Sequence, residues 1–256
     1  MTFLGSPPSA GGEITAHGRL LHLDEEMALA EVEVRDARDR LVAHGTSRCS
    51  VFPPLNEAIE LLPPAESAVG GTEPAGPDPH LRAAPMAAPG PHEARDGAGM
   101  LRAQLRGELR RPPIDLLTGI RLVATERGRV AFAMPASPWL RNEWGTVYGG
   151  VLTLLAKSAA AAAVQTTAAD GTEFDALDIK VNFLRAVPAD GRELRATGTV
   201  LHRGKRLAIA TAEVMHGDER VAILTGTTAL APERSLLSAP LPRPRAVKRA
   251  RSAARC

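Results

Sequence analysis

The chain has 256 residues, a formal net charge of +2 and 44% hydrophobic residues, yet Phe, Trp and Tyr together make up only 3%. That length suits one domain and part of another, and so small a net charge carries no sign of a nucleic-acid partner. Cys49 and Cys256 are the two cysteines, and neither sits in a CxxC or Cys/His pattern, which argues against a disulfide scaffold and against a cysteine-ligated metal site. No apolar run approaches the roughly 18 residues of a membrane span, and the start MTFLGSPPSAGGE has neither a basic segment nor a hydrophobic signal core. The expectation is a soluble, cytoplasmic chain.

In chain order, the first element is one half of a repeat. Residues 1–34 align without a gap with residues 181–214. Phe3-Leu4 matches Phe183-Leu184, Pro8 matches Pro188, Gly11 matches Gly191, Gly18 matches Gly198, Leu21-His22 matches Leu201-His202, and Glu33-Val34 matches Glu213-Val214. After a one-residue slip, Val42-Ala43 pairs with Val221-Ala222. The first copy, residues 1–54, starts in the middle of a strand of the second and therefore reads as strands without a helix, unless the true start lies upstream of Met1. Its apolar residues, among them Leu20, Met27, Leu29, Val32 and Val34, would leave a bare face. These strands are expected to pair edge to edge with the complete copy, their open face shielded by Leu55–Leu62 or by another subunit.

Residues 55–111 read as a flexible Pro/Ala/Gly-rich linker with short helical segments, least ordered over 63–99. Within it, Leu55, Ile59 and Leu62 have helical spacing. The complete copy spans 112–232. Ile120–Thr125 and Val130–Pro135 predict a hairpin. The run VLTLLAKSAAAAAVQTTA, residues 151–168, predicts a long, buried helix of strong helix formers. From Asp175 the pattern alternates, with Leu177, Ile179, Val181 and Phe183 on one side and Asp178, Lys180 and Asn182 on the other. Strands near 193–202, 206–215 and 220–229 follow, joined by the turn sequences Arg203-Gly204-Lys205 and His216-Gly217-Asp218. Residues 233–256 read as a disordered basic tail. Two strands, a long helix and four strands predict an α+β fold, an antiparallel sheet curled around one helix.

The stretch from Pro138 to Gly150 carries the chemistry. A Gly149-Gly150 pair feeding a helix offers unpaired N–H groups to an oxygen bearing negative charge, such as a thioester oxyanion. The same glycines suit a tight turn beneath the sheet, and spacing does not choose between the two.

Asn142, Gly145, Tyr148-Gly149-Gly150-Val151-Leu152 and Leu155-Ala156, followed by Asp178–Arg185 and Val200–Lys205, resemble the hotdog acyl-CoA thioesterases of the phenylacetate-degradation type. The resemblance covers roughly 112–231 and, through the repeat, 1–52, as in tandem double-hotdog members. It implies a hotdog fold in one complete and one partial copy, and it implies hydrolysis of a CoA thioester to free acid and CoA without a metal or redox cofactor. By resemblance Asn142 would orient the thioester or the attacking water, and the N–H groups of Gly149 and Gly150 would form the oxyanion hole. Arg203, Gly204 and Lys205 would meet CoA phosphates, although such a cluster also suits a solvated hairpin turn. A homo-oligomer formed by sheet pairing is implied as well; no membrane partner is expected.

Two departures stand out. Tyr148 replaces the His frequent before Gly-Gly, and Lys157 occupies the helix position where the family places a catalytic Asp or Glu. An ammonium is no general base at pH 7 unless burial depresses its pKa by several units. Glu143, Asp175 and Asp178 are the nearby carboxylates that could substitute, and Lys157→Asp is expected to raise activity in an intact pocket. The alternative function is a catalytically impaired acyl-CoA-binding or scaffolding protein. His22 and His202, at equivalent repeat positions, read as structural.

Overall fold

The structure, a computed structural model, describes residues 1–5, 13–51, 97–109, 111–169 and 172–232. The first copy contributes β1 (Thr2–Phe3), β2 (Ile14–Leu23), β3 (Met27–Asp36) and β4 (Leu41–Ser50). Two helices, α1 (Gly97–Leu105) and α2 (Pro113–Thr118), lead into the second copy. That copy comprises β5 (Arg121–Glu126), β6 (Arg129–Pro135), the long α3 (Gly149–Gln165), β7 (Thr172–Phe183), β8 (Glu193–Arg203), β9 (Leu207–His216) and β10 (Glu219–Pro232). The α+β expectation holds, and each element expected in the second copy is present.

All the strands join one antiparallel sheet in the order β2-β3-β4-β1-β7-β10-β9-β8-β6-β5. By the repeat, β1 corresponds to the end of β7, and β2, β3 and β4 correspond to β8, β9 and β10. The order is therefore mirrored about the β1/β7 junction, as in a pair of subunits related by a two-fold axis. At that junction Thr2 opposes Asp178, the amino terminus donates to the Ile179 carbonyl at 2.8 Å, and the Ile179 N–H donates to the Met1 carbonyl at 2.8 Å. The edge-to-edge pairing expected from sequence is what the strands do.

The repeat extends to irregularities. Register shifts between Leu20 and His22 on β2 and between Val200 and His202 on β8, so Leu21 and Leu201 occupy the same β-bulge in each copy. The one-residue slip is absorbed in the turn after β3, where Asp39 takes φ 58°, the single non-Gly residue with positive φ among those described.

The core lies between α3 and the second-copy strands. α3 packs on β8, β9, β6 and β10, burying Leu152, Leu155, Ala156, Ala159, Ala163 and Val164 against Leu194, Ala196, Ala210, Ala212, Val214 and Leu224. Alanines let the helix approach closely. At Gly198 a Cβ would lie 2.1 Å from the Ala159 carbonyl oxygen, so glycine is needed where helix backbone presses on the strand. Among the described residues no helix lies on the first-copy sheet, and Ile14 and Leu20 are 52% and 58% exposed there.

The range 55–111, read as a flexible linker with short helical segments, holds α1, which is packed on β5 and α3 with Leu101 and Ala103 buried. One expectation needs correction: the strict alternation on β7 fails. Asp178 opposes Thr227 but Ala176 opposes Thr228, a bulge that leaves Leu177 37% exposed while Ala176, Asp178 and Ile179 line one small cavity. The segment Leu55–Leu62, the rest of the linker from 52 to 96, and the tail 233–256 lie outside the described residues.

Candidate functional site

The loop before α3 is organised by Asn142. Its Oδ1 accepts from the Trp144 N–H at 3.0 Å, the Thr146 N–H at 3.0 Å and the Thr146 hydroxyl at 3.1 Å. Two of these donors are backbone N–H groups, which settles which end of the amide is oxygen. The Asn142 N–H donates to the Thr146 carbonyl at 2.7 Å, and the loop is tied to the segment after β7 by Val147 N–H to Val187 carbonyl at 2.8 Å and Ala189 N–H to Gly145 carbonyl at 3.2 Å. With Oδ1 filled, Asn142 keeps only its Nδ2 donors for a ligand.

α3 opens at Gly149 with Tyr148 as its N-cap, which makes no side-chain cap bond. The Val151 and Leu152 N–H groups both donate to the Tyr148 carbonyl, at 2.9 and 3.3 Å. Among the described residues the Gly149 and Gly150 N–H groups have no acceptor. The two glycines also admit close aromatic neighbours. A Cβ on Gly149 would sit 3.3 Å from the Phe183 ring, and one on Gly150 3.2 Å from the Tyr148 ring. Beside them lies an open pocket of about 410 Å³ lined by Asn142, Thr146, Val147, Gly149, Leu152 and the strand-end run Phe183–Val187, within the usual size of a small-molecule site.

The structure brings Asn142 and Gly149 together in that pocket, with Gly150 one residue further on beneath the exposed Tyr148. The remaining candidates lie elsewhere. Lys157, roughly 12 Å further along the helix, has its ammonium 4.8 Å from the centroid of the Phe3 ring and lines a separate cavity of about 30 Å³ with Asp178. Arg203, Gly204 and Lys205 form the β8–β9 turn, where the Arg203 guanidinium bonds the Gly204 carbonyl. Arg203 opposes Ala208, which opposes Thr228, whereas Phe183 opposes Ala222. The turn is thus at the other end of the sheet, roughly 20 Å from the Gly149 pocket along the strands. Glu143 and Asp175 are exposed, and the Gly149 pocket has no carboxylate in its lining.

Sequence reasoning passed over Arg185, the pocket's single ionisable lining residue. The signal was available: it follows Phe183-Leu184, while the matching Phe3-Leu4 is followed by Gly5.

Residues 145–223 match the model of the thioesterase superfamily. Among solved structures, a conserved protein of Pseudomonas aeruginosa is 33% identical over 47% of this chain and 95% of its own, with a TM-score of 0.45. A phenylacetic acid degradation protein of Thermus thermophilus is 26% identical over 46% and 98%, with a TM-score of 0.43, and a thioesterase family protein of Silicibacter pomeroyi is 24% identical over 52% and 98%, with a TM-score of 0.47. No curated protein matches the chain. The family match runs from the Gly149 loop through α3 into β10, the elements that build both the core and the pocket, so this part of the chain is similar to the thioesterase superfamily and the second copy has the hotdog fold.

Proposed function

We propose that the chain hydrolyses an acyl-CoA thioester to free acid and CoA in the pocket beside α3. The observation that carries this reading is the pair of unpaired N–H groups at Gly149 and Gly150. As water adds to the thioester carbonyl, its oxygen gains negative charge, and two backbone donors at the positive end of a helix stabilise that charge more than the ground state. Asn142 donates through Nδ2 to the carbonyl or to the oxygen of the attacking water. Its amide oxygen is far too weak a base to take the water's proton, so that proton passes through solvent in the open pocket to the sulfur of the departing CoA, giving free acid and CoA thiol. The Tyr148 hydroxyl supplies a further hydrogen-bonding group at the rim. Arg203, Gly204 and Lys205 serve CoA phosphates of a site built with another subunit of an oligomer, since one chain holds them far from Gly149. No metal or redox cofactor enters this scheme.

The test is spectrophotometric thiol release over a panel of aliphatic and aryl acyl-CoAs, paired with calorimetric binding. Turnover that falls on removing the Gly149 N–H supports hydrolysis at this site. A second reading, binding without turnover, is favoured by the absence of a carboxylate from the pocket lining and by Lys157 standing where the family places one. Tight binding with no thiol release would establish it.

A further inference from the structure

We infer that Arg185 holds an anionic group of the thioester substrate and so determines which thioesters the site accepts; this rests on the hydrolase reading above. Two further polar groups of the lining residues, the Gly149 N–H and the Asn142 Nδ2, are donors, and with the guanidinium they suit a ligand oxygen that bears negative charge. The root of Arg185 is anchored: the N–H groups of Leu184 and Arg185 both donate to the Val221 carbonyl, at 2.8 and 3.3 Å. Its guanidinium is not committed. The side chain is 62% exposed, and the nearest acid, Glu219, is 4.0 Å away and itself 65% exposed, a solvent-screened pair that an arriving anion can replace.

The internal repeat supplies an independent comparison. Phe3 and Leu4 reproduce Phe183 and Leu184, but the next residue is Gly5 in the first copy and Arg185 in the second. The strand end is shared, and the cation is particular to the second copy, where it borders the pocket. A guanidinium takes a carboxylate or phosphate through two parallel N–H bonds. The anion is therefore either a second carboxylate at the far end of the acyl chain or a phosphate of CoA.

Four thioesters separate these sources: succinyl-CoA, butyryl-CoA, and the succinyl and butyryl thioesters of N-acetylcysteamine, which lack the nucleotide. Arg185→Gln is exposed and polar, so it leaves the fold intact and removes the charge alone. The expected result is a fall of about tenfold or more in kcat/KM. The fall is confined to the two succinyl substrates if Arg185 meets the acyl carboxylate, and to the two CoA substrates if it meets a phosphate. Equal kcat/KM for wild type and variant on all four overturns the proposal. If the wild type releases thiol from none of them, the hydrolase reading fails by itself, and Arg185 is decided by calorimetry with succinyl-CoA and butyryl-CoA. A Kd weakened about tenfold in Arg185→Gln then upholds the assignment, and an unchanged Kd for both overturns it.

Discussion

Asn142 does two jobs with two ends of one amide, and substitution can part them. Asn142→Asp retains an oxygen for the Trp144 and Thr146 donors but loses Nδ2. It should melt near wild type while kcat falls by about 10²-fold, the usual effect of deleting one transition-state donor; a parallel loss of fold would assign Asn142 to the loop alone. Gly149→Pro is the matching test of the backbone. Gly149 is the first helical residue, where proline is tolerated, so the helix persists and one N–H disappears. Because any Cβ here lies 3.3 Å from the Phe183 ring, Gly149→Ala, which keeps the N–H, is the control, and a kcat about 10²-fold below that of Gly149→Ala with unchanged circular dichroism is expected. Lys157 is different. In its cavity with Asp178, an aspartate would set two carboxylates around a water-sized space and forfeit the Phe3 ring contact. Lys157→Asp should therefore lower stability by about 1 kcal/mol or more without raising thiol release, the reverse of the outcome expected from sequence; a faster rate would show that this position reaches substrate. Asp190 bears on stability at low pH. The hydrogen bond from Arg192 holds its carboxyl down at about 2. A depressed folded pKa gives stability that is present above the unfolded value of about 4 and lost as pH falls through about 2. Asp190→Asn should accordingly flatten the decline in melting temperature between those limits.

The strands and helix of the second copy were legible because their signals are local: five turns of helix formers, alternating strands and Gly-containing turns. The bulges were not, because Leu21 and Leu201 look like ordinary alternating residues until register is known. Gly18 and Gly198 show why a repeat read in sequence needs a structure to interpret it. Gly198 is pressed by the Ala159 carbonyl, whereas a Cβ on Gly18 would meet only the Glu31 carbonyl oxygen, at 3.9 Å. Identical residues in equivalent strands thus predict opposite outcomes. Gly198→Val should destabilise by more than about 3 kcal/mol or prevent folding, while Gly18→Val should raise the melting temperature, since a β-branched residue in an uncovered strand gains about 1 kcal/mol over glycine. A lower melting temperature for Gly18→Val would mean that something packs on that face in solution.

Taken as a whole, the molecule mimics a two-subunit assembly within one chain. Deleting residues 1–51 would bare the β7 edge, and unpaired strand edges seek partners. The remaining chain is expected to sediment as a dimer paired through β7, and a monomer would show that the first copy is not replacing a second subunit. This mirrored arrangement was legible in the repeat alone, through matches such as Phe3 with Phe183. The site was only half legible. The Gly149-Gly150 loop announced itself, but Lys157 and the Arg203–Lys205 turn were grouped with it by resemblance, and the distances along α3 and β10 separate them. Arg185 escaped notice because its meaning depends on the pocket it borders.

The join between the two copies has a kinetic consequence. β1 is two residues long, and the first-copy strands have no helix on their face among the described residues. Little couples that half to the core, so it should behave as a separate cooperative unit that opens while the rest stays closed. Amide exchange would then reveal two tiers, with the N–H groups of β2, β3 and β4 exchanging through a low-energy opening and their repeat counterparts in β8, β9 and β10 exchanging only when the whole domain unfolds.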